Sequence, residues 1–96
     1  MTATPWGKSD YAKRYAVGVM FYETPSHGGF HLSPKKNVLV HSALRNDDGW
    51  YEEDCEWAKV ALTFPALFTS EEYEGATKTA QTYFPETYKQ FQTLTE

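Results

Sequence analysis

The chain is predicted to fold as a small α+β domain, an antiparallel β-hairpin or three-stranded sheet packed against about three helices. Three observations predict it. Tyr15–Thr24 alternates β-branched and aromatic residues and runs into a Pro-Ser-His-Gly-Gly turn. Trp50–Phe64 carries apolar residues at helical period and stops at Pro65. Thr69 with Glu72, and then Pro85, supply two further helix starts. With 96 residues, one domain spanning 1–96 is expected, because chains divide only beyond about 250 residues. Its core is thin, so the large aromatics count.

Thr4-Pro5-Trp6-Gly7 reads as an extended entry and a turn, with Trp6 folding back as an anchor. Ser9 or Asp10 caps one helical turn over Tyr11–Lys13. Tyr15–Thr24 reads as one strand, apolar on both faces, so helices are expected over one face and partial cover over the other. Gly18 within it marks a bulge or a close backbone approach. Pro25–Gly29 is a turn whose glycines take left-handed conformations, and Phe30–Ser33 returns as the antiparallel partner. Ser33-Pro34 is an N-cap followed by proline at N1, opening a short helix through Asn37 or Val38. Val38–Val40 reads equally as a third short strand.

Ala43–Gly49 is polar and turn-rich. On a wheel started at Trp50, the helix over Trp50–Phe64 has an apolar arc of about 220°. Glu53 falls near 300° and Asp54 near 40°, inside that arc. The Thr69 capping box opens a helix to Tyr83 or Phe84, and Pro85 starts a last one with Tyr88, Phe91 and Leu94 at core spacing.

The formal net charge of −4 conceals a polarity. Residues 1–45 hold six Lys/Arg against two acids, about +4, whereas 46–96 hold eleven acids against three Lys, about −8. A binder of nucleic-acid phosphate needs a positive surface, so direct nucleic-acid contact is not expected. Two uses of the acidic half remain: it faces a basic partner, or it neutralises the other half across the fold. No apolar run reaches membrane length and the N-terminus lacks a signal pattern. Those features and a single Cys55 predict a cytoplasmic chain without disulfides.

Two motifs carry chemistry-bearing residues. In Thr24-Pro-Ser-His-Gly-Gly-Phe-His31, Ser26 beside His27 is no triad, because neighbours in sequence do not aim one side chain at the other. The turn reads either as a structural device or as the home of a catalytic His27. In Gly49-Trp-Tyr-Glu-Glu-Asp-Cys-Glu-Trp57, a carboxylate on the apolar arc must find donors. Glu53 and Asp54 are therefore expected to be buried and bonded to the His27–Gly29 turn. The structural set is then Trp6, His27, Gly28, Gly29, Glu53, Asp54 and Trp57. His27, His31, His41 and Cys55 are metal-ligand types at no diagnostic spacing, so no metal site and no cofactor is predicted. Cys55 reads as a small buried apolar group. Trp57 is assigned to the core, while Trp6 and Trp50 serve either core or surface.

Taken together, Thr4-Pro-Trp-Gly7, Thr24-Pro-Ser-His-Gly-Gly29, Leu32-Ser33, Gly49–Trp57 and Phe64-Pro65 resemble an uncharacterised domain family of phage, plasmid and other mobile-element proteins. The resemblance spans roughly residues 4–90 and brings no established activity. It implies an accessory protein, expected to be a non-enzymatic inhibitor of host defence, of anti-CRISPR or antirestriction type. Such an inhibitor would meet a basic surface of a host protein or ribonucleoprotein complex through Asp47, Asp48, Glu52, Glu56, Glu71, Glu72 and Glu74. The alternatives are a small hydrolase or nuclease, metal-dependent or not, using His27 with Glu53 and Asp54, and a structural or regulatory interaction module.

Overall fold

The computed structural model describes residues 2–95, with side chains through residue 93. Strands β1 (Ala3–Thr4) and β2 (Gly7–Lys8) pair as a small antiparallel ribbon. Its turn is closed by the Thr4 hydroxyl, which donates to the Gly7 carbonyl at 2.6 Å, and by Gly7 at φ 121°. Trp6 is thereby carried out of the ribbon at the turn.

Strands β3 (Tyr11–Ala16), β4 (Val19–Glu23), β5 (Gly28–Leu32) and β6 (Trp50–Glu52) form one antiparallel sheet in that order. Helix α1 spans Pro34–Asn37, α2 Trp57–Thr63, α3 Ser70–Tyr83 and α4 Pro85–Thr95, with a 3₁₀ turn at Pro65–Leu67. The class is α+β as predicted, with one strand more than the three-stranded alternative. Among the described residues no helix is long and apolar enough to cross a membrane.

Three local expectations are corrected. Tyr11–Lys13 is strand, because Tyr11, Ala12 and Lys13 pair with Glu23, Tyr22 and Phe21. The run from Tyr15 to Thr24 is two strands rather than one. The chain reverses at Val17-Gly18, where Gly18 takes φ 81° and Val17 stands in solvent. The helix predicted over Trp50–Phe64 begins only at Trp57, because Trp50–Glu52 pairs with His31–Gly29 and residues 53–56 form a turn. The ladder satisfies backbone groups that a helix start here would have left without a cap. Gly49 at φ 77° makes the entry possible, and the Asp48 carboxylate accepts the Trp50 N–H at 2.9 Å.

Other starts stand as read. The Ser33 hydroxyl accepts the Lys36 N–H and Pro34 sits in the first turn of α1. Val38–Val40 continues as hydrogen-bonded turns and forms no strand. The capping box of Thr69 and Glu72 is complete in both directions. Of the predicted core positions on α4, Tyr88 is buried and Phe91 half-buried, and the Leu94 side chain lies outside the described residues.

Strand alternation sends Val19, Phe30, Leu32 and Tyr51 to one face, where they meet Val60 and Leu62 of α2 and Tyr88 of α4. Ala58, Ala61 and Ala76 let α2 and α3 approach closely. Trp57 packs against both groups, as expected of a core residue, while staying half-buried. Within this core lies a polar staple. The Tyr51 hydroxyl donates to Asn37 Oδ1 at 2.6 Å and accepts the Asn46 N–H at 3.0 Å. Asn37 Nδ2 in turn donates to the Asn46 carbonyl at 2.9 Å. The guanidinium of Arg45 donates to the carbonyls of Asn37, Val38 and Val40. These bonds shape the irregular segment from α1 to β6 and place Asp47 and Asp48 at its tip.

Candidate functional site

Directly opposed residues of an antiparallel pair share a face. The pairings Met20–His31, Tyr22–Gly29, His31–Trp50 and Gly29–Glu52 therefore put Met20, Tyr22, His31, Trp50 and Glu52 together on the face turned away from α2. The partial cover expected on that face comes from Trp6. Its ring lies over Gly29, where an added Cβ would overlap Cη2 of the indole. Trp6 meets Trp50 edge-on at 5.7 Å and 88°. Trp50 also contacts Tyr22 at 5.7 Å and His31 at 4.4 Å.

Gly28 and Gly29 belong to β5, and neither has the left-handed backbone expected of them. Their missing side chains matter for another reason. A Cβ on Gly28 would stand 2.9 Å from the Tyr22 carbonyl, and one on Gly29 would stand 2.5 Å from that of Tyr51. The diglycine makes room for neighbouring strands and for a tryptophan.

Beside the two indoles opens a groove of about 860 Å³, walled by Trp6 and Trp50 and rimmed by Asp47, Asp48, Glu52 and Glu56. Two cations also line it, and both are engaged. Arg45 is held by the carbonyls already named, while Lys59 lies 3.6 Å from Glu56 and donates to Asn46 Oδ1 at 3.1 Å. Glu56 further accepts from Asn46 Nδ2 at 2.8 Å. The carboxylates of Asp47 and Glu52 carry no hydrogen bond or ion pair among the described residues, and both residues line the groove. Four of the seven predicted partner-binding acids thus meet here. Glu71, Glu72 and Glu74 do not: they lie in the first turns of α3, where Glu72 closes the capping box and Glu74 pairs with Lys78 at 3.7 Å.

Glu53 and Asp54 are both exposed, which corrects the expected burial. They stand in the turn after β6, so the helical wheel that put them inward does not apply. Nor, among the described residues, does either carboxylate accept the hydrogen bond expected from the glycine turn; the bond found there runs the other way, from the Glu53 backbone N–H to the Gly28 carbonyl at 2.9 Å. Beyond that bond the two side chains part. Glu53 lines a hollow with Phe21, Trp57 and Phe68, and Asp54 stands with His27 and Glu52. The trio of His27, Glu53 and Asp54 is accordingly not assembled. The three histidines are also apart: His27 in its exposed turn, His31 on the sheet, and His41 accepting the Ala43 N–H through Nδ1. Cys55 is half-buried at the groove, where burial, and then Glu56 and Glu52, push its thiol pKa up. It is held as a thiol rather than as a nucleophilic thiolate.

Burial lowers the His31 imidazole below its ordinary 6.5, against a smaller opposing pull from Asp48. The unfolded chain therefore takes up this proton at higher pH than the folded one. The His31 contribution is complete above about pH 6.5 and is lost as pH falls below it. The urea midpoint of the wild type is expected to drop between about pH 7.5 and pH 5.5 by more than that of His31→Gln. An NMR titration placing His31 at or above 6.5 would contradict this.

The fold and site define a small α+β domain with a tryptophan-walled acidic groove on the outer face of its sheet. The chain belongs to the family described as a domain of unknown function, DUF7007, whose model matches residues 1–95. No curated protein and no solved structure matches it. The family bears out the resemblance to an uncharacterised domain. The signal for the groove lay in Asp47-Asp48-Gly49-Trp50 and in Trp6, but sequence alone did not bring Trp6 and Trp50 together.

Proposed function

We propose that the domain is a non-enzymatic protein-interaction module whose groove receives a basic side chain of a partner protein. The observation that carries this is the meeting of Trp6 and Trp50 with the carboxylates of Asp47 and Glu52, unpaired among the described residues, while Arg45 is held by backbone carbonyls and Lys59 is neutralised by Glu56 within the groove. Indole faces attract a cation, and carboxylates at the rim pair with it, so a guanidinium gains from both. Arginine suits the site better than lysine because its plane stacks and its fork pairs with two oxygens. The wider reading is a mobile-element accessory protein that occupies a basic, nucleic-acid-handling surface of a host defence complex in the bacterial cytoplasm. The excess of acid in residues 46–96 supports it, since opposite charge speeds such an encounter.

Tryptophan fluorescence during titration with a hexa-arginine peptide tests the groove. Saturable binding that weakens with salt is expected. Asp47→Lys with Glu52→Lys, and separately Trp50→Ala, should each weaken it by about tenfold or more, about 1.4 kcal/mol. Glu71→Lys with Glu74→Lys makes the same change in net charge away from the groove and should have little effect. Equal losses in both charge-reversed proteins would reduce the effect to overall charge and defeat the proposal. Capture from host lysate with wild-type and Trp50→Ala protein, read by mass spectrometry, then names the partner.

A further inference from the structure

The turn between β4 and β5 and the end of β6 hold a second constellation. One ligand atom each from His27, Glu52 and Asp54 lies within 4.8 Å of the others. We propose that these three residues form a binding site for a divalent transition-metal ion, with Zn²⁺ the preferred occupant.

The convergence follows from register. Glu52 pairs with Gly29, and Glu53 donates its N–H to the Gly28 carbonyl, so the last ladder rungs hold the chain end of β6 beside the turn. In the turn that follows, Glu53 lines the hollow beside Phe21 and Phe30, whereas Glu52 and Asp54 stand with His27. The turn carrying His27 is itself tied down. Thr24 Oγ1 donates to the His27 carbonyl at 2.6 Å and accepts the His27 N–H at 3.1 Å, while the Thr24 N–H reaches the same carbonyl at 2.8 Å. Two segments distant in sequence therefore present three ligand side chains from fixed backbone, which lowers the ordering cost of binding.

Charge and chemistry select the occupant. Two carboxylates stand beside an imidazole, and among the described residues none of the three side chains makes a hydrogen bond or an ion pair. The groove cations Arg45 and Lys59 are held by their own partners. A tetrahedral ion at about 2.0–2.2 Å from each ligand atom sets those atoms about 3.3–3.6 Å apart, a closure of about 1 Å that side-chain rotation can supply. One nitrogen and two carboxylate oxygens suit Zn²⁺ and, more weakly, Mn²⁺. Ca²⁺ and Mg²⁺ favour all-oxygen shells. Three protein ligands leave a coordination position open to solvent. Only Glu52 is shared with the groove, and the site needs no protein partner, so it stands or falls apart from the interaction proposed above.

Isothermal titration of untagged protein with ZnCl₂ alone tests the site. One ion per chain is expected. His27→Ala and Asp54→Asn should each lose more than about tenfold in affinity. Glu53→Gln and His41→Ala should bind as the wild type does. His27, Glu53 and Asp54 are exposed, so thermal melts of those three variants should match the wild type. In the unaltered protein, the imidazole NMR signals of His27, and not those of His31 or His41, should shift on adding Zn²⁺. No saturable binding, undiminished binding in His27→Ala, or binding lost in Cys55→Ser but kept in His27→Ala would each overturn the proposal.

Discussion

Tyr51→Phe, which deletes one oxygen atom, is expected to destabilise the fold by about 2–4 kcal/mol. The hydroxyl is fully buried and serves two partners, Asn37 Oδ1 as donor and the Asn46 N–H as acceptor. Asn37 is buried and gains no substitute when it goes, an unsatisfied buried group costing about 1–3 kcal/mol, while the half-buried Asn46 N–H loses a bond worth about 0.5–1.5 kcal/mol. For a chain of this size the melting temperature should fall by about 10–25 °C, read by circular dichroism. Tyr22→Phe is the control: its hydroxyl makes no hydrogen bond among the described residues, so the change should stay within about 0.5 kcal/mol. The same burial raises the Tyr51 pKa above its ordinary 10.0, so the folded state keeps this proton when the unfolded chain has lost it. The Tyr51 contribution is therefore present below about pH 10 and declines as pH rises above it. Tyr51→Phe should lack that alkaline decline. A loss smaller than about 0.5 kcal/mol would mean that water replaces the hydroxyl and that the staple is dispensable.

What the sequence made legible is what local chemistry decides. Ser33 before Pro34, Thr69 with Glu72, and Pro85 each mark a helix start, and each stands where it was read, because caps and proline act on the adjacent backbone alone. The hairpin of β3 and β4 was hidden because the alternation from Tyr15 to Tyr22 continues across the turn, and Gly18 was the single local cue. At Trp50–Glu52, periodicity misled for a physical reason. Trp50, Trp57, Ala61 and Phe64 fall on one helical stripe, yet Trp50 and Tyr51 also suit a strand, and the ladder to β5 is tertiary information. Once residues 50–52 are strand, the inward placement of Glu53 and Asp54 has no basis. The groove followed the same rule: its acids were legible as charge, while the choice of four among seven was made by the fold.

Gly29→Ala should unfasten Trp6 from the sheet and strain the ladder between β5 and β6. The new Cβ would stand 2.5 Å from the Tyr51 carbonyl, a backbone atom that cannot swing aside, and would overlap the Trp6 indole. Overpacking of this kind costs about 1–3 kcal/mol, and backbone involvement puts this case near the top of that range. Displacement of the ring opens one wall of the groove, so tryptophan emission should shift to the red and the affinity for hexa-arginine should fall with it. A double-mutant cycle separates the two clashes. Trp6→Ala removes the indole but not the carbonyl, so Gly29→Ala in that background should remain destabilising, by less than in the wild type. Equal costs in the two backgrounds would mean that the indole does not rest on Gly29, and the groove would then lose the wall on which the proposed recognition of a guanidinium depends.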